Sequence, residues 1–310
     1  ASITGVQSSE YFHDPQAMTE AQAETFRKLG SDGPLSPDFG TVAEASAYGG
    51  RVVYDREGIP SIQPDPGLET ADLIPEAPTD PRTSGLMARQ LEFLEYMAAH
   101  CPPGMEVASC NMMAPLTAAA TLRGISDFCV DVIEEPEAVA ELIDCITRTE
   151  IASLEEQRRI LGGRMKRVLL SDDISSFLSA GQFEALVRPI YDRIYGAFPE
   201  AQRWLHNDGN AAHLAPSISR AGIQLWHVGK NMDMGKLFDL TEGRVALCGN
   251  LNPVTELLHL KPEEVKKRAQ EEVKRYQERG KHILSTGGFI SYGTAIDAIL
   301  AMMEGADSVH

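Results

Sequence analysis

The sequence predicts an α/β protein built as a single (β/α)8 barrel over residues 1–310, and three observations carry that prediction. Short β-like runs that end in a polar residue and a turn alternate with helical patterns along the whole chain. Eight such steps occur in one chain, counting a weak first one, and a repeated β–α alternation is the pattern of a parallel α/β fold. The length of 310 residues, with 43% hydrophobic and 24% charged, suffices for a large core without disulfides. A doubly wound open sheet is the alternative architecture.

The elements follow in order. Ser2 to Gly5 is the weak first strand, and Gln16 to Leu29 is helical by composition. Gly33 to Gly40 closes on a second polar end at Asp38. Residues 51–81 break the pattern: Arg51 to Tyr54 and Ile59 to Ile62 read as a hairpin, and a Pro- and acid-rich loop follows over one rim. Helix resumes from Pro81 to His100. The third strand is Met105 to Asn111. A long helix opens near Pro136, with Val139, Leu142, Ile143 and Ile146 on one face. Arg167 to Asp173 is the fourth strand, and its helix runs from Ser179 to Tyr195. The fifth, sixth, seventh and eighth strands begin at Arg203, Gly222, Arg244 and Lys281. The clearest helix, Pro262 to Arg279, has proline in its first turn, Gly280 past its end, and Glu–Lys and Glu–Arg pairs four apart on a solvated face.

Composition excludes some functions. A net charge of −17 opposes binding to nucleic acid or to anionic membrane. No apolar run reaches the length of a membrane span, and no signal peptide is evident. The five cysteines have no paired spacing, as in a reducing, cytoplasmic setting. A soluble enzyme acting on a small molecule fits best, and a homodimer is compatible with it.

Chemistry concentrates at strand ends. In Arg203-Trp-Leu-His206-Asn-Asp208-Gly209, a period of two places His206 and Asp208 on one face, and the glycine ends the strand there. An isolated His-x-Asp more often satisfies local hydrogen bonds, so its neighbours matter. In a barrel the carboxyl ends also collect Asp38, Asn111, Asp172, Asp173, His227, Cys248, Asn250 and Ser285. Imidazole, carboxylate and thiol together form a zinc-type donor set with one position open, and His206, Asp208 and Cys248 are the candidate ligands. The competing readings are a small buried hydrophobe for Cys248 and a carbonyl-bonded core imidazole for His227. The Asp172–Asp173 pair reads as a general acid, a partner for a histidine ligand, or a helix cap. No dinucleotide, Walker, nucleophile-elbow or His-Glu-x-x-His motif occurs.

Over essentially its whole length the chain resembles the uroporphyrinogen decarboxylase superfamily, and within it the cobamide-dependent methyltransferases. The likeness rests on residues 40–49 (Gly-Thr-Val-Ala-Glu-Ala-Ser-Ala-Tyr-Gly), Ala114-Pro-Leu-Thr117 with Leu122-Arg-Gly124, Leu178-Ser with Phe183, and Pro189-Ile-Tyr191. It continues through His206-x-x-Gly209-Asn210, Gly249-Asn250-Leu-Asn-Pro253 and the Gly-Gly end of the eighth strand. Two departures narrow it. The decarboxylases carry a Gly-His-Gly motif where this chain has Gly287-Gly288-Phe289, and the arginines suited to their acidic substrate are not evident near the N-terminus. The thiol methyltransferases use His-x-Cys and a later cysteine; here those cysteine positions are Asp208 and Gly288.

The resemblance therefore implies a zinc-dependent methyltransferase with a rebuilt site. A carboxylate in place of a thiolate leaves a harder Lewis acid, matched to oxygen. The expected reaction is O-demethylation: a methyl ether, expected to be a methoxylated aromatic, gives its methyl group to the cobalt of a corrinoid (cobalamin) carried by a partner protein. Asp172 or Asp173 would manage the proton; Asn250 and Asn111 would contact the cofactor; Asp38, His227 and Tyr292 would face substrate. The alternatives are methyl transfer from a corrinoid to folate or a thiol, and a metal-free tetrapyrrole- or corrinoid-binding scaffold.

Overall fold

The computed structural model describes residues 3–55, 58–279 and 281–309. The chain divides into two compact units, one of Ile3–Phe177 with Glu184–Gln202, the other of Leu178–Phe183 with the chain from Arg203 onward.

In the first unit, α1 (Pro15–Leu29) starts where Asp14 accepts the Gln16 amide at 2.8 Å, and it stops at Gly30 in the left-handed conformation. The hairpin expected after residue 50 is present as antiparallel β1 (Arg51–Tyr54) and β2 (Pro60–Gln63). The helix α2 (Gly85–His100) buries Met87, Leu91, Leu94 and Met97 on one stripe. Strand β3 (Met112–Met113) leads into α3 (Pro115–Arg123), α4 (Ile125–Glu134) and the long α5 (Pro136–Leu161). The α5 core face contains Val139, Leu142, Ile143 and Ile146, as its spacing requires. Strand β4 (Arg167–Ser171) pairs parallel to β3, with Met113 opposite Ser171, and α6 (Arg188–Ala197) follows.

Two strand expectations here need correction. Within Ser2 to Gly5, Ser2 lies outside the described residues, Ile3 and Thr4 form a turn, and Gly5 has φ 77°, which breaks an extended run. Met105 to Asn111 is not the third strand; the ladder begins at Met112. The Gln157 side chain takes up the Cys110 amide, and the Ser109 hydroxyl bonds the Arg167 carbonyl. Side chains thus occupy groups a ladder would use, and only an isolated bridge joins Val107 to Leu35.

In the second unit, β5 (Gln202–Asn207), β6 (Leu225–Val228), β7 (Ala246–Cys248) and β8 (His282–Ile283) pair in chain order, all parallel. Leu205, Trp226 and Leu247 lie opposite one another and are fully buried. The pleat then turns the next row to the other face. Helices α7 (Ala215–Arg220), α8 (Met234–Leu240), α9 (Pro262–Tyr276) and α10 (Ile296–Asp307) complete the unit. The predicted face of α9 is the buried one: Val265, Ala269, Val273 and Tyr276. It lies so close to α10 that a Cβ on Gly305 would stand 2.6 Å from the Lys266 carbonyl oxygen. The single helix expected from Ser179 is interrupted by a π-turn at Phe183–Val187.

Candidate metal centre

The row beyond the buried one is His206, His227 and Cys248, in register on β5, β6 and β7. The imidazole Nε2 of His227 lies 2.7 Å from the Thr286 carbonyl oxygen. A carbonyl only accepts, so that nitrogen carries the proton. The Nδ1 atoms of His206 and His227 are 2.6 Å apart. With His227 neutral, its Nδ1 holds a lone pair, and the shared proton belongs to His206 Nδ1. His206 is thereby fixed as the Nδ1–H tautomer, with the lone pair on Nε2. Burial lowers the basicity of both rings, and for His227 the neighbouring imidazole adds to the effect. The pair is held neutral, the state in which histidine ligates a metal.

Asp208 sits just beyond β5, exposed, with a ligand atom within 4.8 Å of one on His206. Two glycines shape its place. A Cβ on Gly229 would lie 2.1 Å from the Asp208 carbonyl oxygen, and one on Gly288 would lie 2.9 Å from Asp208 Oδ2. Gly288 also has φ 124°, which disfavours any side chain. The carboxylate fills the space that a side chain at 288 would need.

The other predicted residues of this unit differ in setting. Cys248 is half-buried; burial raises its thiol pKa and a hydrogen bond with the Ser285 side chain opposes the rise. Asn250 donates from Nδ2 to the carbonyls of Gly229 (2.9 Å) and Met232 (2.8 Å), so its amide braces the loop after β6. Tyr292 is exposed in the loop after β8.

In the first unit, Asp172 is fully buried, accepting from the Thr117 hydroxyl and the Tyr191 hydroxyl, each at 2.8 Å. Burial pushes its carboxyl up to about 6 against those bonds. Asp173 is half-buried at the end of β4, and its carbonyl accepts from the Ser176 hydroxyl at 2.6 Å. Asn111 and Asp38 are exposed, and Asp38 caps its own turn by accepting the Gly40 amide at 2.9 Å. The sequence reading missed Thr286, whose contribution is a backbone carbonyl, and Gly229, whose contribution is the absence of a side chain.

A family model described as uroporphyrinogen decarboxylase (URO-D) matches residues 1–309. Among solved structures, a methyltransferase from Methanosarcina mazei aligns with a TM-score of 0.85 at 18% identity, covering 99% of this chain and 89% of that one. A B12-independent methionine synthase from Shewanella sp. W3-18-1, in complex with selenomethionine, aligns at 0.66 and 12% identity, covering 98% of this chain and 90% of that one. At such identities the likeness shows the fold, and that fold is the (β/α)8 barrel expected from the alternation of elements. No curated protein matches the sequence.

Proposed function

Since the chain belongs to the uroporphyrinogen decarboxylase family, we propose that it is the substrate-side methyltransferase of an O-demethylase, taking the methyl group of a methyl ether to the corrinoid of a partner protein. The observation that carries this reading is the chain of contacts from the Thr286 carbonyl through His227 to His206, which leaves the His206 lone pair on Nε2, together with an Asp208 carboxylate oxygen within 4.8 Å of a ring nitrogen of His206. A metal-bound histidine characteristically donates its other ring N–H to a fixed acceptor, and here that acceptor is His227. The donors fit zinc: a neutral imidazole and a carboxylate, with a glycine at 288 leaving the carboxylate room.

When bound, zinc would act as a Lewis acid that polarises the ether oxygen. The chain's own residues prepare for that. His227 holds the ring of His206 in one tautomer and one orientation, and Asp208 supplies negative charge without a thiolate. Transfer would break the methyl–oxygen bond with its electron pair left on oxygen, and the partner's corrinoid, as the methyl acceptor, would supply the pair for the new bond to carbon. The oxygen then needs one proton. Asp172, buried and committed to Thr117 and Tyr191, is not assigned to that proton.

Elemental analysis of protein purified without chelator tests the reading. About one zinc per chain, lost in His206→Ala and in Asp208→Ala, is the expected result. Cys248→Ala decides the third ligand: loss of zinc makes it the thiol, and retention removes Cys248 from the ligand set. A wild type that takes up no zinc when supplied with it, or no methyl transfer from 2-methoxyphenol to a reduced corrinoid protein, would overturn the proposal.

A further inference from the structure

The loop after β8 changes character at Gly288. Up to that residue the backbone is held on several sides. The Gly287 amide donates to the Leu251 carbonyl at 2.8 Å, the Lys230 amide donates to the Gly287 carbonyl at 3.1 Å, and the Thr286 hydroxyl donates to the Gly288 carbonyl at 2.8 Å. A Cβ on Gly287 would lie 2.3 Å from the Lys230 amide nitrogen, so this stretch is pressed flat against the loop after β6. Beyond it comes Phe289-Ile290-Ser291-Tyr292, flanked by Gly288 (φ 124°) and Gly293 (φ 84°). Among the described hydrogen bonds, none involves the backbone of Phe289 or Ile290, and the next anchor is Thr294 on the Ser291 carbonyl.

On this tethered segment stand the two most exposed large apolar side chains among the described residues, Phe289 at 87% and Tyr292 at 74%. Folding gives no reason for them: they bury almost nothing, and an uncovered phenylalanine is unfavourable in water. Their position gives one. Phe289 directly follows Gly288, where an added Cβ would stand 2.9 Å from the Asp208 carboxylate. Two rings three residues apart, hinged at a glycine on each side and rooted beside the candidate metal ligand, suit a flat aromatic guest that stacks on one ring and meets the edge of the other.

We propose that Phe289 and Tyr292 form an aromatic clamp that holds the aryl ring of a methoxylated aromatic substrate over the Asp208 carboxylate. This selects aryl over alkyl methyl ethers, and it rests on the methyl-ether reading above. The Tyr292 hydroxyl provides a polar tip for a ring oxygen, whereas Phe289 provides only its face.

Binding is tested on the full chain by isothermal titration calorimetry, with 2-methoxyphenol and 2-methoxyethanol as probes, for wild type, Phe289→Ala, Phe289→Tyr and Tyr292→Ala. Each alanine variant is expected to weaken 2-methoxyphenol binding by roughly tenfold. Phe289→Tyr is expected to retain it, and 2-methoxyethanol is expected to bind all four alike. Thermal melts serve as the folding control, and both side chains are exposed, so unchanged melting is expected. Equal 2-methoxyphenol affinity in wild type and alanine variants overturns the clamp. So does weakened affinity for the corrinoid protein with unchanged affinity for the phenol, which would give the rings to a protein interface. Ring-dependent binding without methyl transfer would sink the reaction and leave the clamp standing; methyl transfer without ring-dependent binding would do the reverse.

Discussion

His206 was legible in the sequence because a period of two set it on one face with Asp208, and a glycine closed the strand behind them. What holds it was not. Its partner His227 is twenty-one residues away, and the acceptor behind His227 is a carbonyl, which every residue has. His227→Ala is expected to lower zinc affinity by about 10- to 100-fold while thermal melting stays near wild type; competitive zinc titration reads this, and unchanged affinity would remove His227 from the site. Buried acids supply a second residue-scale prediction. Glu44 is fully buried, its carboxyl pushed up to about 7 by burial, with the Met113 amide bonded to its Oε1 at 3.1 Å. A raised carboxyl binds its proton more tightly in the folded state, so its contribution is fully present below the unfolded value and is lost as pH rises toward 7. That shift corresponds to about 3 kcal/mol. Urea denaturation across pH 4 to 8 is expected to show this decline, flattened in Glu44→Gln, whose amide oxygen can still accept from Met113. Glu150 presents both carboxylate oxygens buried with no hydrogen-bond partner among the described residues, and burial raises its pKa well above the ordinary value. Replacement by Leu is expected to stabilise the protein at pH 7 by roughly 1–3 kcal/mol.

At the scale of elements, legibility followed local physics. The α9 helix was readable at its start because proline, paired charges and an apolar stripe agree, whereas its C-terminal turn departs, the helix closing at Tyr276 rather than Arg279. From the fourth onward the strands were readable as positions but not as lengths: β7 spans Ala246–Cys248 and β8 only His282–Ile283. Polar ends that read as continuing strands in fact turn to hold loops, as Asn250 does for the carbonyls of Gly229 and Met232. The β3 ladder was displaced because Gln157 and Ser109 side chains serve backbone groups upstream of it, information that lies in distant residues. The α9–α10 contact makes its own forecast. With the Lys266 carbonyl and Ala269 Cβ at 2.6 and 2.7 Å from a Cβ at position 305, Gly305→Val must separate two helices and is expected to cost about 1–3 kcal/mol. Chemical denaturation reads it, and a neutral effect would show that the helices part easily.

For the whole molecule, the alternation of elements carried the fold class, and the family match over residues 1–309 and the solved barrels agree with it. The two compact units could not be anticipated, because they depend on which side chains meet rather than on the order of elements. No helix among the described residues is long and apolar enough to cross a membrane. The net charge of −17 acts on the molecule as a whole. Self-repulsion opposes compactness, and salt screens it over about 10 Å at 0.1 M. Raising sodium chloride from about 10 to 150 mM is therefore expected to raise the melting temperature by a few degrees. A melting point that falls over that range would show that specific ion pairs outweigh the overall repulsion.

The contact between Gly288 and Asp208 also bears on ancestry. A side chain at 288, a thiol included, would press on this carboxylate and make it swing aside. The two positions are therefore expected to form an epistatic couple, in which the effect of a replacement at one depends on the residue at the other.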